Sequence, residues 1–196
     1  MSQNEGMIHF DVDDEIAYIK GMLNAMQNKA PSILKNSINA AARKVRKQIV
    51  KDVQGKYAIK DKSILKKESE GAPQVATASP ANLSAEIFSR GSMQDIMSFM
   101  TRPNEETGAA AAKVFNSGSF KYLEMGGLRA FVTTFASGHT AIVQRKTEDS
   151  LPIKKLLSPA VPMLLGNEEI RNAAETEAYD IIQQEITKRI DKINAG

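Results

Sequence analysis

The sequence predicts an α+β fold: N-terminal helices, a small, mostly antiparallel central sheet with long loops, and a C-terminal amphipathic helix. Three observations carry this. Residues 31–54 and 167–193 place apolar side chains at three- and four-residue intervals, the period of helices lying on a core. Between them, short alternating runs are punctuated by Gly, Pro, Ser and Asn, which mark turns and loops. At 196 residues with 42% hydrophobic content, the chain can bury one good core, so a single unit over 1–196 is expected. Its segments are 7–55, an N-terminal strand and helices; 56–106, a basic bend and loop-rich region; 107–146, strands and a hairpin; 147–166, a proline-rich apolar segment; and 167–196, the closing helix.

Taken in order, Met7-Ile8-His9-Phe10-Asp11-Val12 reads as a short strand. Asp13 or Asp14 then caps a helix over 15–28, because a side-chain carboxylate can accept from the first free amides. Ile16, Ile19, Leu23 and Met26 give that helix one apolar stripe. Ala30-Pro31-Ser32 breaks it and starts a second helix, which carries Leu34, Ile38, Ala41, Ala42, Val45, Ile49 and Val53 on one face. Arg43, Lys47 and Lys51 lie on the opposite face. Small residues at 40–42 would let another helix approach closely.

The pattern loosens after residue 55. Residues 60–67 form a short helix or a strand, and 68–80, with Gly71, Pro73 and Pro80, reads as a long irregular loop. Long loops in compact domains are often binding elements, and this one could reach a neighbour. Leu83, Ala85 and Ile87 alternate with polar residues and start the central sheet. Residues 91–102 are methionine-rich and either adapt to a partner or cover their own sheet. Residues 109–115 and 120–123 are further strands around the turn Asn116-Ser117-Gly118.

Phe131, Thr133 and Phe135, then Ser137-Gly138, then Ala141, Ile142 and Val143 leading to Arg145, read as a hairpin with one buried face. After a charged loop, prolines 152, 159 and 162 stand among Ile153, Leu156 and Leu157. That composition opposes a regular helix and predicts a stiff, extended apolar surface, packed on the chain's own core or on a neighbouring subunit. The closing helix starts at Asn167, a good N-cap, with Glu168 and Glu169 near its positive end. Ile170, Ala174, Ala178, Ile181, Ile182, Ile186, Ile190 and Ile193 form its stripe.

The order of these pieces resembles the bacteriophage and prophage minor tail protein Z family. The resemblance rests on Ile142-Val143-Gln144-Arg145, Leu151-Pro152-Ile153 and Leu156-Leu157-Ser158-Pro159-Ala160-Val161-Pro162 before a final amphipathic helix. It extends to the alanine and basic run Ile38-Asn39-Ala40-Ala41-Ala42-Arg43-Lys44-Val45-Arg46 and the bend Lys56-Tyr57-Ala58-Ile59-Lys60. It covers about residues 16–193, loosely over 68–106, and its motifs are architectural patterns. What it implies is a structural virion protein that completes a long phage tail and joins it to the head connector. It further implies a homo-oligomeric ring, sixfold like the tail tube it caps, with the tail tube or terminator protein and the connector as partners. Arg145, Pro152, Ile153, Leu156, Leu157, Pro159 and Pro162 are then the candidate assembly interface.

Charge is segregated. Residues 29–67 hold twelve Lys or Arg against two acids, whereas 167–196 hold seven acids against four bases, behind a net charge of only +3. Arg43, Lys44, Arg46, Lys47 and Lys51 are therefore candidate DNA-facing or inter-subunit cations. Three roles are open to them: a solvated face, nonspecific contact with packaged DNA, or attraction to the acidic end of an adjacent subunit. A free nucleic-acid-binding module is the alternative reading. Against it, aromatics are only 6% of residues, Trp is absent, and no basic stretch is interleaved with stacking residues.

No enzyme, metal site or cofactor is predicted. His9 and His139 lie far apart and outside any ligand spacing; Asp11, Asp13 and Asp14 lack the glycine and final glutamate of a calcium loop; Gly126-Gly127 is a turn rather than a phosphate cradle. Cysteine is absent, no apolar run approaches the roughly 20 residues of a membrane span, and the N-terminus has no signal-peptide pattern. Assembly in the bacterial cytoplasm is the corresponding expectation.

Overall fold

A computed structural model of the chain describes residues 4–10, 29–103 and 109–195. The helix expected over 15–28 and the cluster Asp11, Asp13 and Asp14 lie outside the described residues.

Helix α1 spans Ala30–Lys56. Pro31 sits in its first turn, where a missing N–H costs nothing because those amides have no intrahelical acceptor. All seven apolar residues of the expected stripe are buried, together with Ile33, Ser37 and Asn39. The closing helix, α3, covers Glu168–Asn194, and Asn167 caps it by accepting from the Ile170 amide. Ile170, Ala174, Ala178, Ile182 and Ile186 are buried. The two helices pack side by side and antiparallel: Lys44 meets Glu185, and Lys56 meets Glu169.

Against this pair lies a sheet of β1 (Asn4–Phe10), β3 (Ala85–Gly91) and β2 (Gln74–Ala76), ordered β1-β3-β2. Residues 68–80 are therefore not a loop reaching outward. Gln74–Ala76 pairs with β3, and Gly71, Ala72 and Pro73 are buried. Gly71 has φ +83°, and its Cα lies 2.7 Å from where a Cβ on Gly91 would stand, so only a glycine pair lets this turn close on β3. The buried amide of Asn39 fixes the same connection by donating to Ala78 O at 3.1 Å and accepting from Ala78 N at 2.7 Å.

The remaining strands form a second body. β4 (Gln94–Asp95), β5 (Met100–Pro103), β6 (Ala110–Lys113), β7 (Lys121–Tyr122), β8 (Glu124–Met125) and β9 (Leu128–Arg129) precede the hairpin β10 (Phe131–Thr134) and β11 (Thr140–Arg145). β12 (Ile153–Lys155) and β13 (Leu157–Ser158) follow. The α+β class holds, with the strands among the described residues divided among five small antiparallel sheets rather than gathered in one. Gly126 and Gly127, at φ +62° and +75°, make the β8–β9 turn.

The predicted hairpin is present, in the register Phe131↔Val143 to Thr134↔Thr140. It does not have a single buried face: β11 is the central strand of β10-β11-β12, and Ala141, Ile142, Val143 and Gln144 are all buried. The proline segment also departs from expectation. It supplies β12 and β13 and then a short helix, α2 (Val161–Leu165), which accepts Pro162 because that residue sits in the first turn.

Two cores meet at a 3-10 turn over Ile96–Ser98. Phe99, just after it, is buried with the helices beside Val45, Ile49, Val161 and Leu164, whereas Ile96 belongs to the β core of Ala110, Ala112, Ala130 and Ile142. The methionine-rich segment is thus split, with Ile96 and Phe99 buried and Met93 and Met100 exposed. Residues 62–65 form another 3-10 turn, capped by Asp61, whose carboxyl is held below the usual range by hydrogen bonds from the Ser63 hydroxyl and amide.

Candidate functional site

The basic residues of α1 divide by their angle around the helix. At 100° per residue, Arg43, Lys47 and Lys51 stand opposite the buried stripe; all three are exposed and make no ion pair among the described residues.

Lys44 and Arg46 are flank residues, and each makes a bond within the chain's own fold. Lys44 Nζ donates to Glu185 Oε1 at 2.7 Å, and Arg189 Nη1 reaches Glu185 Oε2 at 2.5 Å. The Glu185 side chain is only 8% exposed. The Lys44 hydrogen bond, supported by Arg189, holds its carboxyl below the usual carboxylate range although burial pushes the other way. On the other flank, Arg46 Nε donates to Pro73 O at 2.5 Å, and Arg46 Nη2 is buried without a partner. Opposite charges that the sequence places at the two ends of the chain therefore meet within one molecule along the α1–α3 seam.

Where the seam opens, Gln48, Lys51 and Asp52 of α1 and Glu169, Ala173 and Glu177 of α3 line a groove of about 660 Å³. Gln48 and Asp52 are bridged at 2.9 Å, and Lys56 pairs with Glu169 at one end. Tyr57 follows; burial raises its pKa, and its ring stacks on Phe115 with centroids 5.2 Å apart.

The candidate interface residues also separate. Pro162 is fully buried in the core of the chain, which removes it from any contact surface. Leu156 is part-buried against the β core, and Ile153 and Pro159 are half-buried. Arg145 is exposed, with its guanidinium 5.5 Å from the centroid of the Phe131 ring. Pro152 is exposed, and so are Leu151 (68%) and Leu157 (50%). Leu157 is fixed in place, since it pairs with Asp95 in the β4–β13 ladder and the next residues enter the core as α2. Nearby, Lys155 Nζ lies 2.7 Å from Asp95 Oδ2 and 3.1 Å from His139 Nε2, and His139 stacks on Phe135, which ties the hairpin tip to β4.

Sequence reasoning missed Glu185 and Asn39 as buried polar anchors. The signal was present in both helices, since Glu185 stands between the buried Ile182 and Ile186, and Asn39 between the buried Ile38 and Ala41. No group of three or more His, Cys, Asp or Glu is placed to hold a metal ion, and no helix is long and apolar enough to cross a membrane, among the described residues. No protein family, curated protein or solved structure matches this chain.

Proposed function

We propose that this chain is a structural assembly subunit: the tail-completion or neck component that its resemblance to the minor tail protein Z family implies, acting as a ring between tail tube and head connector around the DNA path. The observation that carries the reading is the exposed apolar set Leu151, Pro152 and Leu157, presented on a segment whose continuation, Ser158 to Leu165, is anchored in the core. Large aliphatic side chains held in water on a rigid mount gain by being covered, roughly 25 cal/mol for each Å² removed from water. In this reading the ring docks through these residues and Arg145.

The second reading, a nonspecific nucleic-acid-binding module, is favoured by the outward set Arg43, Lys47 and Lys51. Three cations spaced about 6 Å apart along a helix suit a run of phosphates. Light scattering of the full chain across concentration, with and without purified tail tubes, tests the first reading. A discrete ring alone or on tubes supports it. A monomer that ignores tubes and binds duplex DNA with a steep loss of affinity in salt replaces it with the second.

A further inference from the structure

The outer surface of the helix pair is bipolar. On α1 it carries Arg43, Lys47 and Lys51. On α3 the outward positions carry Glu177, which shares the open groove with Lys51, and the exposed Asp180 and Asp191, with Lys188 between the last two. Two other acids of α3 are already used, Glu185 by Lys44 and Arg189 and Glu169 by Lys56. Glu177, Asp180 and Asp191 make no ion pair among the described residues. One face thus displays a positive stripe beside a net negative one that includes Lys188, and no ion pair within the described residues ties the cations of α1 to these acids.

We propose that this two-helix face is a contact between copies of this chain, the α1 cations of one copy lying opposite the α3 carboxylates of the next. The inference deepens the assembly reading and rests on it. Self-complementarity favours a second copy over a polyanion. A nucleic acid approaching the cations would meet the carboxylates one helix away, about 10 Å. That distance is comparable to the Debye length of about 8 Å at physiological salt, so the repulsion is only partly screened. A second copy satisfies both stripes at once in the head-to-tail arrangement that a ring needs.

The dimensions agree. Helices of 27 residues are about 40 Å long, and two of them side by side are about 20 Å wide. The resulting face of about 800 Å² per partner is the size of a standard specific interface. Because it is charged rather than apolar, it would set register and encounter rate more than affinity, and its association would weaken with salt.

The test uses the full chain and a charge swap. One variant carries Arg43→Glu, Lys47→Glu and Lys51→Glu; the other carries Glu177→Lys, Asp180→Lys and Asp191→Lys. Mass is read by light scattering across concentration at low and high salt, with circular dichroism checking the helices. The parent is expected to associate, about tenfold or more weakly in high salt. Each variant alone should be monomeric, and an equimolar mixture should recover the parent's mass, because every reversed α1 then faces a reversed α3. If a triple variant misfolds, the pair Lys47→Glu and Asp180→Lys poses the same question, and the parent's salt series stands apart from any variant. Variants that keep the parent's mass overturn this face while leaving the assembly reading intact. A parent that stays monomeric alone and on tail tubes overturns both. An α1 variant that loses duplex DNA binding but keeps its mass assigns the cations to phosphates and also overturns the proposal.

Discussion

Replacing Gly91 by Ala puts a methyl group where the fold has placed backbone. The new Cβ would stand 2.7 Å from Gly71 Cα and 3.0 Å from Gly71 N, inside any ordinary van der Waals contact. Neither atom belongs to a side chain that can rotate away. The 70–73 turn would have to lift from β3, and it is held there on several sides. Ser89 Oγ donates to Gly71 O, Ser92 bonds to Glu70 Oε1, and Arg46 donates to Pro73 O. Overpacking of a rigid site costs about 1–3 kcal/mol. At about 2–4 °C per kcal/mol for a chain of this size, a loss near 2 kcal/mol lowers Tm by about 4–8 °C. Gly55→Ala is the matched control. It lies in the last turns of α1 with nothing within 4 Å of its would-be Cβ, so the change should stabilise by about 0.5–1 kcal/mol. Differential scanning calorimetry of the two variants against the parent measures both shifts. A Gly91→Ala protein melting within about a degree of the parent would refute the close approach of Gly71 and Gly91, and equal shifts for both glycines would refute the distinction between them.

Asn39→Ala strands the buried N–H and C=O of Ala78 and should cost about 2–4 kcal/mol in urea unfolding; a loss under about 0.5 kcal/mol would mean that other groups satisfy them. Glu185, whose carboxyl is held low in the folded state, contributes stability above the unfolded carboxylate range and loses it as pH falls through the folded value. Glu185→Gln should therefore lower stability at neutral pH by about 1.5–3 kcal/mol and flatten the acid limb of a midpoint-versus-pH curve; parallel curves for the two proteins would contradict this. Arg43→Gln, Lys47→Gln and Lys51→Gln should each change stability by no more than about 0.5 kcal/mol, and unfolding of the triple variant would show that these side chains do not face outward. Leu151→Ser with Leu157→Ser should weaken association while leaving Tm unchanged, and a drop in Tm without loss of association would mark these leucines as core.

Periodicity exposed the two long helices because burial of one face leaves its mark along every turn, and for α1 it separated Arg43, Lys47 and Lys51 from the core stripe. It could not say what lay beside the flanks. Lys44 and Arg46 look like their neighbours in a basic run, and only the arrival of Glu185 and Pro73, distant in sequence, sets them apart. The division into five sheets was equally hidden. β4 and β13 are two residues each and pair across the length of the second body, and a two-residue strand has no period to read. The short helix α2 was obscured by its own proline, because the penalty for proline depends on the turn it occupies, and that is known only once the start of the helix is known.

The 3-10 turn at Ile96–Ser98 works as a mechanical linkage. Ile96 is seated in the β core and Phe99 in the helical core, and a turn of this kind advances only about 2 Å per residue. A relative shift of the two bodies would have to pull Phe99 out of the helical core or Ile96 out of the β core. Leu157, whose strand pairs with β4 immediately before that turn, is thus connected through Ile96 and Phe99 to the core beneath α1. In the proposed ring, contacts made at Leu157 and at the helix faces would therefore bear on one continuous packed unit.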